Sequence, residues 1–135
     1  MLQTISRVSR DANFRDQVLN AYSHRCAVTR MQLRLVEAAH ILPVSAIGSI
    51  DDVRNGIALS PTYHRAFDCG LIYLVDDYTM RINLKYETQL VRLDLAGGIE
   101  EFKKSLGRIH LPPDRRQWPH QAFIRKANKL RGIGT

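Results

Sequence analysis

The fifteen residues LPVSAIGSIDDVRNG, Leu42 to Gly56, set the strongest limit on how this chain can fold. They are too polar and too rich in turn formers for regular structure, and short apolar runs flank them on both sides. Leu33 to Ile41, containing Val36 and Ile41, reads as one strand, and Ile57 to Leu59 reads as a second. The centre of the domain is therefore expected to be two short strands joined by a long loop. In a chain of 135 residues a loop of that length is functional more often than it is filler.

The segment after the second strand, SPTYHRAFDCG, carries helix signals at both ends. Ser60 suits the N-cap, Pro61 the first helical position, and Gly70 the left-handed position after the last turn. They delimit a helix of about two turns. Beyond it, LIYLV and YTMRINL flank Asp76-Asp77, and Tyr78, Met80, Ile82 and Leu84 alternate with Thr79, Arg81 and Asn83. That is the pattern of a β-hairpin with one buried face. Upstream, Phe14, Val18 and Tyr22 recur at i, i+4 and i+8 behind Asp11 or Asn13 as a cap, which predicts a helix over 13–23. Residues 1–10 are polar and lack a period, and read as a lead-in or the end of a linker. Near the C-terminus, Pro112, Pro113 and Pro119 punctuate an irregular stretch around Trp118. After it, Phe123, Ala127 and Leu130 share one helical face while Arg125, Lys126, Lys129 and Arg131 occupy others, a short basic amphipathic helix stopped by Gly132.

With 44% apolar and 24% charged residues, residues 1–135 suit one α+β domain with a modest core, and two domains do not fit. The net charge of +7 points toward a polyanionic partner, and its placement is uneven. Residues 1–101 carry 11 basic and 12 acidic side chains, while residues 102–135 carry 9 basic and one acidic. The cationic character thus belongs to a C-terminal arm, which reads either as a phosphate grip or as a solvated tail. No apolar run approaches the roughly 20 residues that span a bilayer, and the N-terminus lacks a secretory pattern, so no membrane partner and a cytoplasmic location are expected. Cys26 and Cys69 are too few for a disulfide framework or an all-cysteine zinc site, and are expected as reduced thiols.

Four polar residues stand at the corners of the strand, loop, strand and helix: His40, Asn55, His64 and Asp68. His64 and Asp68 are four apart on the short helix and project from one face, a spacing at which an imidazole and a carboxylate can share a divalent ion or simply a hydrogen bond. Asn55-Gly56 is also a common turn pair.

In order, His40, Asn55-Gly56 and His64 resemble the HNH endonuclease family, and the strings CAVTR, EAAHILP, NGIALSP and HRAFDCGLI resemble its restriction-endonuclease-like branch. The resemblance covers residues 12–85 as the nuclease core. It implies a ββα-metal finger, with the N-terminal helix before it and the hairpin and basic helix after it. It further implies metal-dependent hydrolysis of double-stranded DNA, with His40 as general base, Asn55 tying down the loop, and His64 with Asp68 holding one divalent cation. Magnesium is the expected metal, with manganese, nickel and zinc also suited to mixed nitrogen and oxygen donors. Histidine's ordinary pKa near 6.5 lets His40 take a proton from water at neutral pH. An N-terminal DNA-recognition domain in a longer parent protein is a further expectation from this branch.

Two departures from the family pattern matter. The position before the base, where many members place another ligand, is Ala39; either His64, Asp68 and water suffice, or Glu37 on the same strand face reaches in. Thr29 stands where a second cysteine would complete a knuckle with Cys26, so no structural zinc is expected. Arg54 and Arg65 flank the proposed site and are candidates for phosphate contacts, together with Arg115, Arg116, Arg125, Lys126 and Lys129 of the arm. His24, His110 and His120 have no partners at ligand spacing, and Trp118 and Tyr86 read as core residues. The alternative to an enzyme is a non-catalytic DNA-binding module with a degenerate HNH fold, and a third reading is a scaffold domain with neither metal nor DNA affinity.

Overall fold

Phe14, Val18, Ala21 and Tyr22 are buried on one side of the first helix, α1 (Leu2–Ala21), in the computed structural model, which describes residues 2–133 and the side chains of 12–133. The apolar spacing thus locates the packed part of α1, while its start lies well before residue 13. Asp11 and Asn13 fall inside the helix and do not cap it, and residues 2–10 are helical where a lead-in was expected. Once a packed turn has nucleated a helix, each added residue gains a backbone bond for little further cost, so polar residues extend it without an apolar period of their own.

Strand β1 (Glu37–His40) pairs antiparallel with β2 (Gly56–Leu59), matching Glu37 to Leu59 and His40 to Gly56. The first strand is shorter than its apolar run. Leu33 and Arg34 both have φ near 55°, a left-handed turn that extended pairing cannot pass through, and Leu33 is exposed. Gly56 is buried against α1, and a Cβ there would overlap Val18 Cγ2 and lie 3.2 Å from Phe14 Cζ. The absence of a side chain is what lets the helix lie directly on the hairpin.

Helix α2 (Pro61–Asp68) follows β2 and buries Tyr63, Ala66 and Phe67. Ser60 occupies the N-cap position, although its hydroxyl makes no capping bond, and Gly70 is left-handed as expected. Strands β3 (Ile72–Leu74) and β4 (Thr79–Ile82) form the second hairpin, turning through Val75–Tyr78, with Ile72, Leu74 and Met80 in the core. Leu84 leaves the alternation. Asn83 caps a new helix, α3 (Leu84–Arg92), by accepting from the Tyr86 N–H, and Leu84 is exposed. Helix α4 (Ile99–Lys104) and strand β5 (Gly107–Arg108), which pairs with β4, complete this half.

The last segment is not an arm. Its chain is bonded to the body from end to end: the His110 N–H donates to the Ala27 carbonyl at 2.8 Å, and the His120 N–H to the Arg54 carbonyl at 2.8 Å. The Tyr78 hydroxyl donates to the Pro119 carbonyl at 3.0 Å. Helix α5 (Gln121–Arg131), ended by a left-handed Gly132, buries Ile124 and Ala127 and leaves Leu130 exposed. Asn128 and Arg131 donate to the carbonyls of Leu74 and Phe67. Among the described residues no helix is long and apolar enough to cross a membrane.

Candidate active site

Alternation along β1 sends neighbouring side chains to different helices. His40 lies on the face covered by α1, where its ring stacks on Phe14 at 4.0 Å between centroids and 10° between planes. Glu37 and Ala39 lie on the other face, toward α2. Ala39 is buried beneath that helix, and Glu37 Oε1 stands 2.7 Å from Nδ1 of His64. On the far edge of the same imidazole, Nε2 stands 3.2 Å from Asp68 Oδ2. The i, i+4 pair expected from spacing is therefore present, and Glu37 reaches the other nitrogen of the same ring rather than joining Asp68 at Nε2.

Two carboxylates around one imidazole favour its protonated form. The Asp68 contact, then the Glu37 contact, raise the His64 pKa to about 9 against the opposing effect of burial. The unfolded chain titrates near the ordinary 6.5, so the folded state gains stability that is complete below that pH and lost as pH rises to about 9. With chelator present, the melting temperature of the wild type should fall across pH 6.5–9 more steeply than that of His64→Gln. Parallel curves would remove this proton from the stability of the fold.

The donor set suits a divalent cation in its chemistry: an imidazole and two half-exposed carboxylates, neither of which pairs with lysine or arginine among the described residues. No three His, Cys, Asp or Glu side chains among the described residues already form a cage for an ion. The reason is visible in the ring, since Glu37 and Asp68 engage opposite nitrogens. Asp68 and Nε2 of His64 thus make one two-donor edge, with Glu37 behind it on Nδ1.

Asn55 is fully buried and ties the long loop to itself. Its Oδ1 accepts from the Leu42 N–H at 2.8 Å, and its Nδ2 donates to the carbonyls of Ile50 at 3.0 Å and Leu42 at 3.2 Å. Ser49 Oγ, 3.3 Å from the same nitrogen, donates to the Leu42 carbonyl. Asn55 does not touch His40. The residue that does is Asp51, with Oδ1 at 2.9 Å from Nε2 of His40. Nothing singled out Asp51 in the sequence; its signal was only an acidic residue in the loop that follows the histidine.

The basic candidates divide. Arg54 pairs with Asp52, lowering that carboxyl's pKa, and the same carboxylate caps the short 3-10 turn of Val53–Asn55 by accepting from the Arg54 N–H, so Arg54 does not stand free. Arg65 lines the groove between α2 and the α3–α4 segment. Arg116 is neutralised by Asp114 and Arg125 by Asp76, each at 2.9 Å, and Arg115 lies over the Trp118 ring. Lys126 brings its ammonium beside Gly48 in the long loop, and Lys129 makes no ion pair among the described residues. His24 pairs with Asn20, and His120 caps α5 through Nδ1. Trp118 and Tyr86, expected in the core, are only partly buried. Cys26 is buried, with its sulfur accepting from the Thr29 N–H at 3.5 Å, and Cys69 is exposed.

A long loop between two short antiparallel strands, followed at once by a helix bearing His64, is the strand, strand and helix order of an HNH finger. Residues 26–75 match the family model described as HNH endonuclease, which supports reading the strand–loop–strand–helix segment as an HNH-type nuclease finger. HNH nucleases as a class depend on divalent metals. Among solved structures, the chain is similar to a modification-dependent TagI restriction endonuclease, with 22% identity, a TM-score of 0.64 and 92% of this chain covered. That likeness is one of fold, and the chain spans 38% of the neighbour's length. No curated protein matches the sequence.

Proposed function

We propose that this module hydrolyses phosphodiester bonds of double-stranded DNA, with His40 as general base and a divalent cation, magnesium first, held by His64 and Asp68. The observation that carries this reading is the pairing of two differently equipped histidines on one finger. His64 sits between carboxylates, as a cation site requires, while His40 stands apart at the strand end, with a ring nitrogen that can take a proton.

In this reading water attacks phosphorus in line. The new P–O bond forms as the bond to the 3′-oxygen breaks, the water proton passes to His40, and the departing 3′-alkoxide takes a proton from solvent water to become a hydroxyl. The cation, when bound, supplies Lewis-acid stabilisation of the charge that builds on the phosphate and the leaving oxygen. Glu37 accepts Nδ1–H of His64 and so aims Nε2, as carboxylates behind ligating histidines do. Ala39 supplies no donor beside that edge, so substrate phosphate and water would complete the cation's shell, and the missing ligand is the feature that favours a silent DNA-binding module. The fractional span of the neighbour supports a longer parent in which a separate domain reads the DNA.

Supercoiled plasmid should be cut with magnesium or manganese and left intact with chelator. His64→Ala should lose cleavage and weaken manganese binding by at least about tenfold in calorimetry. Binding of DNA without cutting under every divalent ion would favour the silent module instead.

The phosphate grip is assigned to the unpaired cations near the loop. Lys126→Ala should reduce the slope of log K against log salt by about 0.9, the loss of one phosphate contact. Arg116→Ala, whose charge Asp114 already cancels, should leave the slope unchanged, and equal effects of the two substitutions would mean that the charge acts only as a diffuse field.

A further inference from the structure

We infer that Asp51 is the positioning residue for His40, holding Nε2–H so that Nδ1 is the nitrogen that takes the proton; this rests on the reading of His40 as the base. A neutral imidazole has one N–H and one lone pair, and a carboxylate can only accept. With Asp51 Oδ1 at 2.9 Å from Nε2, the hydrogen lies on Nε2 and the lone pair on Nδ1. When Nδ1 takes a proton from water, the ring becomes a cation beside an anion already in place, so no charge has to be brought up during the reaction.

The geometry around the pair is fixed from three sides. Phe14 stacks on the ring and sets its plane. His40 ends a strand whose register is set by pairing with Gly56. Asp51 follows Ile50, whose carbonyl is held by buried Asn55, and precedes Asp52, which the short turn of Val53–Asn55 anchors. Asn55 therefore acts on the base through two links, Ile50 and Asp51, and not by contact. Asp51 makes no other ion pair among the described residues.

The test uses the full chain with magnesium and a duplex oligonucleotide. Asp51→Asn keeps the shape of the side chain, but its amide can donate to Nε2 and stabilise the opposite tautomer. We expect kcat to fall on the order of 100-fold, as for a misaligned catalytic group, with KM within about twofold. The 15N signals of His40 should move from the Nε2–H tautomer toward the Nδ1–H form. In a His40→Ala background, Asp51→Asn should cause no further loss, because the two side chains act as one unit. Unchanged 15N signals, or an additive loss in the double variant, would overturn the inference. If His40→Ala itself cleaves like wild type, the base assignment fails, an outcome separate from a dead His40→Ala combined with a fully active Asp51→Asn.

Discussion

His40→Ala is expected to lower plasmid cleavage by about three orders of magnitude, within the range a positioned general base supplies. Manganese affinity should stay within about twofold, because His40 contacts none of Glu37, His64 and Asp68; that bound is a geometric expectation drawn from the separate faces of β1. The fold should survive. The side chain is partly exposed, and its main loss is the stack on Phe14, about 0.5–1.5 kcal/mol. The measurements are nicking of supercoiled plasmid, calorimetry with manganese, and thermal unfolding of one preparation. Wild-type nicking by a clean preparation would remove His40 as the base, whereas weakened metal binding would make it a ligand.

Asn55→Ala should have the largest effect on stability of any single change around the loop. It strips the Leu42 N–H and the Ile50 carbonyl of their partners, while the Leu42 carbonyl keeps Ser49 Oγ. Two orphaned backbone groups at about 1–3 kcal/mol each give a loss of about 3 kcal/mol. For a domain of this size that lowers the melting temperature by on the order of 10 °C. Cleavage should fall at temperatures where the variant is still folded, since the chain to Asp51 is no longer held. Asn55→Asp separates the two halves of the role: it can accept from Leu42 but cannot donate to Ile50. A melting temperature unchanged in Asn55→Ala would show that the loop is held by its other contacts.

The finger was legible because each of its parts is local. Ser60, Pro61 and Gly70 bracket α2 through backbone preferences a few residues long, and four-residue spacing is enough to set His64 beside Asp68. Residues 33–36 misled because an apolar run does not reveal two successive left-handed residues. The alternation ending at Leu84 misled because Asn83 serves equally as a strand residue and as a helix cap. The basic C-terminal segment looked like an arm, since charge is visible in sequence whereas the bonds from His110, His120 and Asn128 to distant carbonyls are not.

Chain order alone determined the loop, the two short strands, the short helix and the four polar corners, because those depend on local propensity and on periods of two and 3.6. Tertiary structure alone decided which carboxylate serves which histidine. Glu37 meets His64 across 27 positions and Asp51 meets His40 across 11, and both pairings follow from the face each strand residue turns to and from the path of a loop pinned by one buried amide. Such contacts carry no periodic trace, since they are set by where the chain returns in space and not by what stands beside it in sequence.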